Sequence, residues 1–192
     1  MTPHVFPPAL RLCSEVSRFG MARVLRRQSI AEHMFYVAHY AMDVAQIIQW
    51  HGNRAELLAY AIHHDLDEVI TTDIPGPVKR SFGPLNMDYT ERLEKKWFGV
   101  SSNEYAIDPE IKAIVKVADR IEEIMYGAVE TSLGNRVNGD AIMDNGYRML
   151  TRALVKLNEY VPETEILSGI IESVRDQVSE ILTQALSLPN HG

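Results

Sequence analysis

Five side chains able to hold a divalent cation or move a proton interrupt apolar stretches of this chain: His33, the adjacent pair His64-Asp65, Glu68 and Asp119. The pair lies in Tyr60-Ala-Ile-His63-His64-Asp65-Leu66-Asp67-Glu68-Val69-Ile70, which reads as the last turns of an apolar helix. At roughly 100° of rotation per residue, His64 and Asp65 flank one edge of a helical face. Glu68, four residues from His64 and three from Asp65, lies on that same side. Asp119 interrupts the apolar stripe Ile114-Val-Lys-Val-Ala-Asp119-Arg-Ile. Two imidazoles and two carboxylates make a mixed nitrogen and oxygen donor set for Mn²⁺, Co²⁺, Zn²⁺ or Mg²⁺, with positions left for water and substrate. Such an ion lowers the pKa of a bound water and polarises a phosphoryl oxygen. Glu68, beside the ion without being obliged to bind it, suits general acid/base work. His39, His51 and His63 read as non-ligands, with His63 able to support a ligand from behind. Asp119 taken alone would serve as readily as a salt-bridge partner of Lys116 or Arg120.

A second concentration of chemistry precedes His33. Arg18, Arg23, Arg26 and Arg27 fall within ten positions of a chain whose 19 Lys and Arg are outnumbered by 26 Asp and Glu. Guanidinium groups bind phosphate through paired donors, so a local basic run beside a metal helix suits a small anionic substrate. Lys79 and Arg80, after Asp73, add to the charge available to the distal phosphates of a polyphosphate. The net charge of −7 argues against a general surface for nucleic-acid polymers or anionic membrane. A single cysteine, Cys13, excludes an internal disulfide and a cysteine-based zinc site, and suits a reducing compartment. Without an apolar leader near Met1 or a run of 18 apolar residues, a cytoplasmic location is expected.

The elements that must position these groups all read as helices. The 192 residues, 46% hydrophobic and 23% charged, fit one globular domain over residues 1–192, with residues 1–8 a Pro-rich lead-in. Apolar spacing suggests a first helix from Ala9 to Phe19. Ser29-Ile-Ala-Glu32 is a capping box that places His33 in the first turn of a helix running to about Gln49. Another is expected from Arg54 to Thr71, ended by the Asp73-Ile-Pro75-Gly76-Pro77 punctuation. An amphipathic helix from Asn86 to Phe98 follows. Asp108-Pro109-Glu110 then starts a long helix to Ser132 with an N-cap, a proline at the first position and an acidic first turn. Gly134, Asn135, Asn138 and Gly139 suggest a loop before helices at Asp140–Tyr160 and Glu163–Leu186. The expectation is an all-α domain of six or seven helices, with the metal site in the helix core. The stripe Ile166, Ile170, Val174, Val178 and Leu182 on the last helix could cover the core or form a homo-oligomer interface.

The order His33 … His64-Asp65 … Asp119 resembles the H…HD…D signature of the HD-domain phosphohydrolases. Arg18-Phe19, Ser29-Ile-Ala-Glu32-His33, His64-Asp65-x-x-Glu68-Val, Thr71-x-Asp73-Ile-Pro-x-Pro-Val-Lys79 and Val115-Lys-x-Ala-Asp119 together resemble the YfbR-like 5′-deoxynucleotidases, a group that includes phage dATP triphosphohydrolases. The similarity spans residues 10 to 130. It implies an enzyme that cuts between the 5′-oxygen and the α-phosphorus of a 2′-deoxynucleotide. The products are orthophosphate from a monophosphate or, in the alternative, tripolyphosphate from a triphosphate. It further implies that His33, His64, Asp65 and Asp119 hold the metal and Glu68 assists the water or the leaving oxygen. Arg18 would grip phosphate and Phe19 contact base or sugar. Asp73 would receive the 3′-hydroxyl, and Lys79, Arg23 and Arg26 remain candidates for further phosphates. Relatives commonly carry Trp where this chain has Phe19. A non-catalytic nucleotide-binding module is the competing class, and the presence of Glu68 argues against it.

Overall fold

The computed structural model describes residues 8–72, 78, 85–101, 104, 108–161 and 164–187. Asp73, Lys79 and Arg80 lie outside these residues. Among them the regular elements are all helical: a 3₁₀ helix (Pro8–Ser14), α1 (Ile30–Ile47), α2 (Arg54–Ala61), α3 (Glu68–Thr71), α4 (Leu85–Phe98), α5 (Pro109–Ser132), α6 (Arg136–Leu157) and α7 (Thr164–Ser187). The all-α expectation is met. None of these helices is long and apolar enough to cross a membrane.

The strongest start signals act as the sequence suggests. The Ser29 side chain accepts from Glu32 N while the Glu32 carboxylate accepts from Ser29 N, closing a reciprocal cap on α1. Asp108 caps α5 by accepting from Glu110 N, with Pro109 at the first position. The packing centre is α5, against which α1, α2, α6 and α7 all lie. Its Ile111, Ile114, Val117, Ala118, Ile124 and Ala128 are buried together with Val37, Ala41 and Val44 of α1. Leu167, Ile170, Val174 and Val178 of α7 join this core with Leu182 partly buried against it, while nothing is described of the Ile166 side chain. A smaller cluster of Cys13, Ile30, Met34, Leu66 and Phe98 gathers the 3₁₀ helix, α1 and α4 around the segment before α3.

Three boundaries differ from expectation. The first element is a 3₁₀ helix ending at Ser14, and Ser17 instead pairs with Ser29 in an isolated antiparallel bridge. The helix expected over Arg54–Thr71 breaks after Ala61 into tight turns through residues 62–67 before α3 resumes. His63 and His64 cause part of this, because each ring turns back on the helix: His63 Nδ1 meets Ala59 O at 2.6 Å and His64 Nδ1 meets Ala61 O at 2.7 Å. Terminal carbonyls that satisfy side chains no longer require a continuing helix. Finally, Asn138 and Gly139 lie inside α6 rather than in a loop. A Cβ on Gly139 would stand 2.6 Å from Thr131 N and 2.7 Å from Gly127 O, so this glycine is a contact surface for α5. The Thr131 hydroxyl is nearer still, and whereas that side chain could turn, the two backbone atoms cannot swing away. Gly139→Ala should therefore cost about 1–3 kcal/mol through overpacking. Thermal melting would show it as a drop of several degrees; an unchanged melting temperature would mean α5 and α6 separate freely.

Candidate metal centre and its surroundings

Three parts of the chain converge on one point. His33 comes from the first turns of α1 and is fully buried. His64 and Asp65 come from the turns after α2, fixed by the burial of Leu66 in the smaller cluster. Asp119 comes from the middle of α5 and is 4% exposed. Asp65 Oδ2 lies 3.2 Å from His33 Nε2 and 3.4 Å from His64 Nε2, and Asp119 Oδ1 lies 3.6 Å from His33 Nε2. Ligand atoms of His33, His64 and Asp119 all fall within 4.8 Å of one another. Donors bound at about 2.0–2.2 Å from one ion stand roughly 3–3.5 Å apart, so the 3.2 and 3.4 Å spacings match a shared coordination sphere, while the 3.6 Å spacing and the 4.8 Å limit are wider.

The tautomers point the same way. Ala61 O can only accept, so His64 Nδ1 carries its proton and Nε2 presents a lone pair to the cluster. His33 Nδ1 faces the Glu122 carboxylate at 2.7 Å, which assigns its Nε2 the same role in the neutral ring. Both Nε2 atoms are buried and lack a hydrogen bond of acceptable geometry. Two buried, convergent imidazole nitrogens without a hydrogen bond fit a divalent metal ion.

Charge is arranged to keep the donors available. Burial pushes the carboxyl pKa values up, but His64 and His33 outweigh it at Asp65, and Lys116 and Arg120 outweigh it at Asp119; both stay well below the ordinary carboxylate range. Asp119 thus fills both roles open to it. Its Oδ2 accepts from Lys116 Nζ at 2.7 Å and Arg120 Nη2 at 2.9 Å, while Oδ1 faces His33. The two histidines diverge. Burial lowers His64. Burial and Arg18 also oppose the charged form of His33, yet Glu122 and Asp65 prevail and raise it to about 9.

Arg18 lies at the edge of this cluster. Burial opposes its charge, but Glu122, Asp119, Asp65 and Glu68 together hold it firmly protonated. Its Nη2 is 3.9 Å from Asp119 Oδ1. Glu68, 9% exposed, opens α3 close enough for its charge to act on Arg18. Phe19 adopts a left-handed backbone, φ 56°, which costs a non-glycine residue about 1–2 kcal/mol. Its ring stacks on Tyr126 at 4.8 Å and 4° between planes, with the Arg18 guanidinium 4.9 Å from its centre. Arg23 and Arg26 are placed differently. Both side chains are exposed, and Arg26 pairs with Glu32 at 3.3 Å. Their main chains do the fixing: Arg23 O accepts from Asn135 and Asn138, and Arg26 N donates to Glu130. Among the described residues neither guanidinium touches the metal-site cluster.

Sequence reasoning missed a polar ladder on α5. Asp119, Glu122, Tyr126 and Glu130 recur at i, i+3, i+7 and i+11, all buried on one side of the helix. Each meets segment 18–28 or α1. Glu122 binds Arg18, Gln28 and His33; the Tyr126 hydroxyl donates to Arg26 O; Glu130 accepts from Leu25 N and Arg26 N at 2.7 Å each. The signal was available as helical periodicity of polar residues within an otherwise apolar stretch.

The helical scaffold thus carries a buried histidine and aspartate cluster, able to hold a metal ion, beside an anchored arginine. The family model for 5′-deoxynucleotidase YfbR-like proteins matches residues 6–166, and the chain belongs to that family. It is 30% identical over 150 residues to 5′-deoxynucleotidases of Yersinia pestis and Yersinia pseudotuberculosis, covering 69% of this chain and 76% of theirs. Its fold is similar to the cyanophage S-2L HD phosphohydrolase DatZ bound to dA and one catalytic Zn²⁺ ion, with TM-score 0.67 and 21% identity over 90% of this chain and 95% of that one. An HD-domain phosphohydrolase of Listeria innocua matches with TM-score 0.61 and 15% identity, over 93% and 95% of the two chains.

Because His33 in the metal-free protein titrates near 9, metal capture at pH 7.5 must displace its proton. Calorimetric titration with Zn²⁺ in two buffers of different ionisation enthalpy should report release of about one proton per ion. Affinity should rise with pH until the ring is neutral. Binding without proton release would remove His33 from the coordination sphere.

Proposed function

We propose that this protein is a metal-dependent phosphohydrolase that cleaves the 5′-phosphate ester of 2′-deoxynucleotides, converting a deoxynucleoside monophosphate to the deoxynucleoside and orthophosphate. The observation that carries the reading is the pair of buried, hydrogen-bond-lacking Nε2 atoms of His33 and His64 facing Asp119, with Arg18 beside them. Membership of the 5′-deoxynucleotidase family supports the substrate class.

His33, His64, Asp65 and Asp119 would hold the ion. A divalent cation there supplies Lewis acidity to water and to a phosphoryl oxygen; zinc, cobalt, manganese and magnesium all suit the donor set. In this reading Arg18 binds the phosphate oxygens and offsets the charge that builds as water attacks phosphorus and the bond to the 5′-oxygen breaks. Glu68 takes a proton from the attacking water or delivers one to the departing 5′-oxygen, which leaves as a hydroxyl. Phe19, held against Tyr126, offers an apolar surface to sugar or base. Asp73 is assigned the 3′-hydroxyl and Lys79 a supporting charge on family resemblance. The exposure of Arg23 and Arg26, and the pairing of Arg26 with Glu32, favour a single phosphate over a triphosphate. A cytoplasmic location and a homo-oligomeric state belong to the same reading. Since the α7 stripe is spent on the core, exposed Phe35 and Tyr36 on α1 are the better candidates for an interface, and sedimentation would decide.

A panel of deoxynucleoside monophosphates, ribonucleoside monophosphates and deoxynucleoside triphosphates, each with Mn²⁺, Co²⁺, Zn²⁺ and Mg²⁺, should give orthophosphate from the first group alone. Tripolyphosphate release would move the assignment to the triphosphates. Glu68→Gln should lower kcat at least about a hundredfold while the bound metal is retained. A variant that keeps both turnover and metal would strip Glu68 of its role.

A further inference from the structure

One carboxylate joins the two halves of the site. Glu122 lies one turn beyond Asp119 on α5 and is 2% exposed. Its Oε2 accepts from His33 Nδ1 at 2.7 Å and from Arg18 Nη1, also at 2.7 Å. Its Oε1 accepts from Gln28 Nε2 at 2.5 Å. We propose that Glu122 is a positioning residue whose single shared oxygen sets the imidazole of the metal ligand His33 and the guanidinium of Arg18 in register with each other.

The argument is one of donors and acceptors. A buried carboxylate is costly unless its oxygens are paired, and here every partner is a donor, two from segment 18–28 and one from α1. His33 Nδ1 must donate to hold the ring with Nε2 toward the cluster. Arg18 Nη1 must be occupied so that Nη2 remains on the Asp119 side, 3.9 Å from Oδ1. Both requirements fall on Oε2, so moving the ring moves the acceptor on which the guanidinium rests. A carboxamide reproduces this poorly. With its oxygen at the Oε2 position, a glutamine would turn its –NH₂ against the –NH₂ of Gln28, unless the Gln28 amide also reversed and gave up its 3.4 Å acceptance from Arg18 Nη1. With its own amide reversed, it would lose both His33 and Arg18. Asp119 touches the same two residues from the other side, yet its Oδ2 is committed to Lys116 and Arg120. Glu122 is therefore the group that fixes the imidazole and the guanidinium from behind. The role of Arg18 toward phosphate rests on the function proposed above, whereas the effect on His33 does not.

Glu122→Gln and Gln28→Met test this with two readouts. The first is Co²⁺ affinity of the metal-free protein, followed by the visible spectrum of the bound ion. The second is KM for a deoxynucleoside 5′-monophosphate, in both the parent and an Arg18→Ala background. Glu122→Gln should weaken Co²⁺ about ten- to a hundredfold, alter the Co²⁺ spectrum and raise KM. In the Arg18→Ala background the KM increment should vanish while the Co²⁺ loss persists, which a general packing defect would not produce. A folded Glu122→Gln with the parent's Co²⁺ affinity and KM, or a KM increment that survives Arg18→Ala undiminished, overturns the proposal. If Glu122→Gln does not fold, Gln28→Met decides: smaller losses in both readouts support it, and none in either overturns it. If the parent hydrolyses no nucleotide, the functional reading fails by itself. Co²⁺ affinity and the dissociation constant for inorganic phosphate then replace KM in the same comparison.

Discussion

The structure depends on a row of acidic groups inside its own core. Asp119, Glu122 and Glu130 are buried along the helix against which α1, α2, α6 and α7 pack. Carboxylates removed from water are tolerated only when paired and hydrogen-bonded. Segment 18–28 and the start of α1 meet that demand: Arg18, Gln28 and His33 at one end, the amides of Leu25 and Arg26 at the other. The segment is not a regular element, so its shape comes from these bonds, from the Ser17–Ser29 bridge and from the stack of Phe19 on Tyr126. The same contacts that make α5 buriable thus deliver Arg18 and Phe19 to the site.

The electrostatics of the site follow from what stands behind each donor. Behind His33 is a carboxylate, and behind His64 a backbone carbonyl. The first favours an imidazolium and the second permits burial to keep the ring neutral, so the two rings shift in opposite directions. A divalent ion held here would supply the positive charge that a proton on His33 otherwise provides, and the carboxylates are already ionised to receive it.

Two hydrophobic clusters divide the mechanical work. The main core sets α1, α5, α6 and α7, and so fixes His33 and Asp119 relative to each other. The smaller cluster buries Leu66 with Cys13, Ile30, Met34 and Phe98, and so holds the turn that carries His64, Asp65 and Glu68. Family membership and the arrangement of these residues converge on phosphate ester hydrolysis, and the similarity to solved HD phosphohydrolases at 21% and 15% identity concerns the fold.

The sequence by itself determined the helical class, the caps of α1 and α5, and the residue types of the donor set, because capping boxes, prolines and apolar periodicity are local signals. It also marked His33, His64-Asp65 and Asp119 as one group through their resemblance to a known order. It misjudged the stretch after Ala61, where imidazoles bonding to the last carbonyls break a helix that apolar spacing alone would continue. It misjudged Gly139 for the complementary reason, since a glycine needed for close approach looks the same as one needed for a turn. The partners of Glu122 lay beyond it. They depend on groups far apart in the chain being brought together, as Arg18 and Glu122 are, 104 residues apart. Only tertiary packing decides which charges share a buried space, and in a buried space each donor must find its acceptor.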